Sequence, residues 1–261
     1  MGVVSLTPDY SNYTIRDLNA DTLKRNYFFG VAFTDENGNE MDTSVVQWHI
    51  DSAINWLESE LEIDIISRER EDRIMYNKSD FSNWGNIQVV RRPIKSISEI
   101  KLQLVNNASY SLPTEWVRFD KERGTIWIIP SAFGNIPLLA SGQLMLPFLL
   151  GMQWFPQAWN IKYTTGFDKL PTLIVDVIMK KAAIEIYQIL GSNVLGPGIA
   201  NMSLSIDGLS QSIGTSQSAM YHMYSAQIDV YRKDIFGGQG MKGELEVLKE
   251  YWRGLEVIML T

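Results

Sequence analysis

Cysteine is absent from the 261 residues, which removes disulfides, thiolate nucleophiles and cysteine-ligated zinc and suits a chain folded in a reducing cytosol. Histidine is scarce. His49 and His222 are the only two, each on a predicted helix, and neither has a histidine or carboxylate three or four residues on, as a helical metal site would need. Basic residues are outnumbered, 23 against 30 acidic for a net charge of −7, so a basic nucleic-acid-binding surface is not expected. DNA passing near such a protein would meet a repelling wall.

Charge of either sign is missing between Arg123 and Lys162. The stretch includes IPLLASGQLMLPFLLGMQWF, yet Pro130, Pro137, Pro147 and Pro156 with Gly134, Gly142 and Gly151 break it every few residues. A spanning helix wants about 20 continuous apolar residues, so no membrane partner is expected. Met1 to Tyr10 has no basic segment leading into an apolar run, and no signal peptide is expected there.

Reactive motifs are missing too. GLSQS at 208–212 only half resembles a nucleophile elbow and follows a turn rather than a long strand. GGQGMKGE at 237–244 lacks the phosphate-loop spacing and hydroxyl, and reads as a hinge between helices. Glu58, Glu60, Glu62 and Asp64, then Glu69, Glu71 and Asp72, read as a solvated charged edge rather than paired catalytic acids. No catalytic residue, cofactor site or metal site is assigned, and the chain is not expected to be an enzyme.

What is present is a globular composition, 45% hydrophobic and 20% charged, enough to bury a core. Residues 1–41 read as an irregular N-terminal arm, with Asn37–Gly38 as a turn. The spacing of Val46, Ile50, Ala53, Ile54, Leu57 and Leu61 predicts a helix over TSVVQWHIDSAINWLESEL, with Ser44 and Gln47 at capping-box spacing. Short runs follow, RIMYN, NIQVVRRP, EIKLQLV, WVRFD, GTIWIIP and WNIKYTTGF, rich in Ile, Val, Trp and Tyr and read as strands. Asn106–Asn107 and Glu122–Gly124 sit where hairpin turns should be, and the uncharged segment 131–157 is expected to interrupt one sheet.

A second helix is predicted over PTLIVDVIMKKAAIEIYQIL, with Pro171 in its first turn and Gly191 past its end. It is apolar nearly all round, as at a domain centre or between copies. Residues 192–261 read as an extended segment, with a turn at Asp207–Gly208, and two further helices ending the chain. The eight tryptophans read as core and interface packing ahead of a row of sugar platforms.

Taken in order, HIDSAINWLESELEIDI, VVRRPIKSISEIKL, FDKERGTIWIIP, a strand ending in YTTGF and LPTLIVDVIMKKAAIEIYQILG resemble the head–tail connector, or adaptor, proteins of tailed bacteriophages. The resemblance covers roughly residues 42–191. It implies a virion protein of the neck, made in the host cytoplasm, that forms a homo-oligomeric ring (a dodecamer in that family) beneath the portal protein. A tail or head-closure protein would lie on the other side, and DNA would pass through the channel without specific recognition.

The expectation is therefore an α+β chain: a helical bundle with a β-rich insertion and extended terminal arms, its core at 42–191. Leu144, Leu146, Phe148, Leu149, Trp154, Phe155, Ile206 and Leu209 are the candidate contacts with other subunits or the portal, since an exposed apolar run of this length wants a covering chain. A head-closure or tail-completion protein is the nearest alternative. A Trp-rich protein that binds or hydrolyses cell-wall glycan is the more distant one, and it would need a cleft with paired acids and aligned tryptophans.

Overall fold

In the computed structural model the described residues are 13–34, 39–77, 79, 86–103, 109–129, 153–195, 201–206, 209–214, 224–238 and 240–257. For 192–195, 201–206, 209–214 and 253–257 the description is of the backbone. The chain is α+β and divides into two compact units. One combines the chain up to Leu61 with Lys169–Arg253, and the other is Glu62–Asp168 with Gly254–Thr261. The β-rich stretch is thus an insertion between two helices.

The helical unit begins with α1, Ala20–Tyr27, inside the segment expected to be irregular. Its signals were short-range and polar. Asn19 Oδ1 accepts from the Thr22 N–H at 2.9 Å, Asp21 sits in the first turn and Lys24 and Arg25 in the last, all favourable to the helix ends. Leu23 is fully buried. Helix α2, Thr43–Leu61, has the expected bounds, and the six residues of its apolar stripe are all buried.

Its cap differs from the expected one. Asp42 Oδ1 accepts from the Ser44 N–H at 2.9 Å, while the Gln47 amide donates to the Leu18 carbonyl and to Asp51. The aspartate, two residues before Ser44 and just outside the helix, takes the capping role by accepting from an N–H of the first turn.

Helix α3, Thr172–Leu195, runs through Gly191 and does not stop before it. Ile174, Val177, Ile178, Met179, Ala182, Ala183 and Ile186 are fully buried. Of the two readings of this apolar helix, the domain centre fits most of its length, since α1, α2 and α4 pack against it, while its first turns line an open groove. Helix α4, Ser225–Phe236, and the part of α5, Glu244–Val257, up to Arg253 close the unit. The glycine-rich joint between them is a tight turn rather than an open hinge. Gly238 and Met241 exchange backbone hydrogen bonds, and a Cβ on Gly243 would lie 2.4 Å from the Ile235 carbonyl oxygen.

Among the described residues the inserted unit holds seven antiparallel strands in two small sheets. They are β1 Glu69–Asn77, β2 Asn86–Gln88, β3 Ile94–Gln103, β4 Ser109–Ser111, β5 Val117–Asp120, β6 Thr125–Ile128 and β7 Trp154–Thr165. One sheet has the order β1-β7-β3-β4, the other β2-β6-β5. The uncharged segment therefore connects two sheets and does not interrupt one, and its last residues, from Trp154, form the start of β7. Both sheets share one core that includes Tyr76, Ile87, Ile100, Leu102, Trp116, Ile126, Trp159 and Ile161. The turn at residues 121–124 is held by the Asp120 side chain, which accepts from the Glu122 and Arg123 N–H groups at 3.1 Å.

After α3 come β8, Asn201–Ile206, and β9, Leu209–Gly214, which pair only with each other in a two-stranded sheet. The Asp207–Gly208 turn expected between them lies outside the described residues, as does Asn106–Asn107. So does Asn37–Gly38, though Thr34 and Glu40 pair across it.

Candidate assembly surfaces

Three features organise the side chains: a buried carboxylate in the β unit, a buried lysine in the helical unit, and an apolar groove beside that lysine. The first gathers the motifs singled out in the sequence. Asp64, expected on a solvated edge, is buried, its side chain 2% exposed. Arg70 Nε and Nη2 donate to its two oxygens at 2.9 and 2.8 Å, and the Thr165 hydroxyl donates to it at 2.7 Å.

Burial pushes the Asp64 carboxyl up, but the Arg70 and Thr165 hydrogen bonds and the nearby Arg68 outweigh it and hold it below the usual aspartate range. The Asp64 N–H donates to the Arg92 carbonyl at 2.8 Å. Arg92 precedes Pro93 in a cis peptide, and the Pro93 carbonyl accepts from the Gly166 N–H at 3.2 Å.

Each residue of YTTGF that faces this joint has a task. The Tyr163 hydroxyl donates to Asp72 at 2.7 Å, and burial with that carboxylate pushes the phenol up. Gly166, at φ +101°, lets the chain pass Ser67 so closely that a Cβ would lie 2.6 Å from the Ser67 Cα. The carboxylate has both oxygens engaged away from water. It ties strands together and is not placed to take a proton from a substrate.

Of the other acids in that run, Glu58 is buried as well, and Glu60 pairs with Lys249. Glu71 does sit on the surface, where the Asn160 amide donates to it at 2.9 Å.

The second feature is Lys180 on α3, whose side chain is 10% exposed. Its ammonium lies 2.8 Å from Asp176, 3.1 Å from Asp234 on α4 and 2.5 Å from Glu244 on α5. Tyr27 on α1 donates to Asp176 at 2.5 Å, so one cation links four helices. Burial alone would push the Lys180 ammonium down, but the three carboxylates hold it well above the usual lysine range. Burial pushes Glu244 up, and Asp176 and Asp234 add to that against the pull of Lys180. Glu244 Oε2 is buried without a hydrogen-bond partner among the described residues, a site suited to a proton.

The third feature is a groove of about 610 Å³ lined by Tyr13 and α1, by the first turns of α3 from Pro171 to Met179, and by Val247, Leu248, Tyr251 and Trp252 of α5. Its lining is mostly apolar. Among the described lining residues the one charge, Asp176, is already bonded to Lys180 and Tyr27.

His49, half of the histidine complement, has its Nδ1 2.8 Å from a Glu185 oxygen. Burial pushes Glu185 up, while Lys181 and His49 hold it below the usual range. Among the described residues no group of three or more His, Asp or Glu is placed to hold a metal ion, and no helix is long and apolar enough to cross a membrane. His222 lies outside them.

Of the expected contact residues, Leu144, Leu146, Phe148 and Leu149 also lie outside the described residues. Trp154 is 62% exposed at the start of β7, next to half-buried Phe155. Ile206 and Leu209 pair directly across the β8–β9 ribbon. Sequence reasoning missed the groove and the Lys180 cluster, because both assemble from segments distant in the chain, Glu244 lying 64 residues from Lys180 and Tyr27 149 from Asp176. The one usable signal was Lys180 itself, a charge in an otherwise apolar helix.

The chain is an α+β protein with a β insertion in a helical unit. No family model matches it, and no curated protein does. Among solved structures it is similar to a chain of a "Virion of native gene transfer agent (GTA) particle", at 14% identity and a TM-score of 0.40. It is also similar to chains of the "Neck of empty GTA particle computed with C6 symmetry", at 14% and 0.38, and of the "Neck of native GTA particle computed with C12 symmetry", at 13% and 0.39. Each likeness covers 92% of this chain and 100% of the other. Likenesses this distant do not define a family for it.

Proposed function

We propose that this chain is a structural neck subunit of a phage-like particle, an adaptor that forms a ring beneath the portal, joins head to tail and leaves a channel for DNA. The observation that carries the reading is the convergence at Asp64. The Arg92–Pro93 pair and the YTTGF strand end, which carry the connector resemblance, meet there through the Asp64–Arg92, Gly166–Pro93 and Thr165–Asp64 hydrogen bonds. Motifs that are soft one by one have a single structural cause, which is to fix the β insertion. A net charge of −7 suits a wall past which DNA slides rather than one to which it adheres.

The subunit works by presenting surfaces. It carries no catalytic residue and takes no cofactor, and its partners are further copies, the portal and a tail or head-closure protein. Light scattering of the purified protein, alone and mixed with portal, tests this. The expected result is a ring-sized assembly that binds portal; a stable monomer that ignores portal and binds glycan would overturn it.

A further inference from the structure

Beta strands β8 and β9 form a ribbon with two unlike faces. Directly paired residues share a face and successive residues alternate. The register therefore sets Met202 with Ile213, Leu204 with Gln211 and Ile206 with Leu209 on one side. Asn201 with Gly214, Ser203 with Ser212 and Ser205 with Ser210 occupy the other. One face has five aliphatic positions of six, and the other has none. A two-stranded ribbon is marginal in water by itself, and no third strand joins this one among the described residues.

We propose that the apolar face of this ribbon docks in the groove at the first turns of α3 on a second copy of the chain. Three observations choose that occupant. Among the described residues both surfaces are apolar and lack free charge: the six register pairs contain no charged residue, and the one charge lining the groove, Asp176, is held by Lys180 and Tyr27. Both belong to the same unit, so every copy carries a donor and an acceptor.

They also stand at opposite ends of one helix. The groove takes Pro171–Met179, whereas the ribbon follows Leu195 after five residues. Val175 lies about 30 Å back along the helix from Leu195 and each ribbon strand spans about 20 Å, so a copy's own ribbon covers its groove only if the five intervening residues run back along α3 near full extension. Two different patches per copy make a head-to-tail contact, which closes into a ring when the rotation allows. The inference deepens the ring reading and rests on it.

The chain has no cysteine, so a double variant, Leu204→Cys with Val247→Cys, reports the contact directly. Mild oxidation should convert at least half of it into a ladder of covalent multimers that collapses on reduction, while either single variant stops at dimers. An internally bridged monomer would assign the groove to the ribbon of its own copy and overturn the inference. So would the lack of a ladder in a protein that light scattering shows to be multimeric, with the ring reading left standing. A monomer by light scattering would remove both.

A second pair guards against misfolding. Leu204→Asp should weaken self-association at least tenfold and Ser203→Asp less than twofold, with unchanged circular dichroism in each. Equal effects would overturn the face assignment.

Discussion

The two units bury charge in opposite ways. In the helical unit one lysine is surrounded by three carboxylates, Asp176, Asp234 and Glu244. In the β unit one carboxylate, Asp64, is surrounded by Arg70, Arg68 and the Thr165 hydroxyl. The first cluster has an excess of acid and therefore a carboxyl that resists ionisation. The second has an excess of base and a carboxyl that ionises readily. What a buried charge does to stability as pH changes is set by which sign is in the minority, not by burial itself.

The sharpest way to break the comparison is to remove each minority charge. Lys180→Met leaves three carboxylates facing one another with no cation, and should cost about 4 kcal/mol, read from the urea midpoint followed by tryptophan fluorescence. Asp64→Asn leaves Arg70 half-exposed and able to hydrate, so the loss should be smaller, about 3 kcal/mol. It should also change the acid limb of the stability curve. Asp64 is depressed in the fold, so its contribution is complete above the unfolded value, about 3.9, and is lost as pH falls through the folded one. The variant should show a flatter decline below pH 4, and an unchanged acid limb would remove Asp64 from the comparison.

Glu244→Gln should have the smallest effect at neutral pH, within about 0.5 kcal/mol. The amide can still accept from Lys180, and the repulsion from Asp176 and Asp234 is gone. Its pH signature has the opposite sign. A carboxyl raised in the fold costs stability as pH climbs from about 4.3 through the folded value, so wild type should lose stability over that window and the variant should not. Urea midpoints measured at pH steps from 4 to 8 would show it.

Much of this fold was open to a linear reading. The apolar stripe of α2 is periodic and the strand GTIWIIP is rich in Ile and Trp, and both signals depend only on neighbours a few residues away. Other readings failed for one shared reason. Asp64 looked like one more acid in an acidic run because Arg70 and Thr165 complete its surroundings, and Thr165 lies 101 residues on. Asp42 displaced Ser44 as the α2 cap because both residues suit the role and only the backbone angle of entry chooses between them. Helix α1 was missed because it is short and polar, and its stability comes from packing Leu23 rather than from its own sequence.

By itself, then, the sequence determined the types of most elements, the bounds of α2, the α+β class and the insertion of strands between two helices, since each follows from local pattern and composition. Only the tertiary structure decided that the uncharged segment joins two sheets, that α3 is buried within its own unit, and that Asp64 and Lys180 are the centres of opposite charge clusters. It also decided that a groove opens beside Lys180 while an amphipathic ribbon leaves the far end of the same helix. Those features depend on which distant segments meet, and partners as far apart as Glu244 and Lys180 or Thr165 and Asp64 leave no periodic trace in the chain.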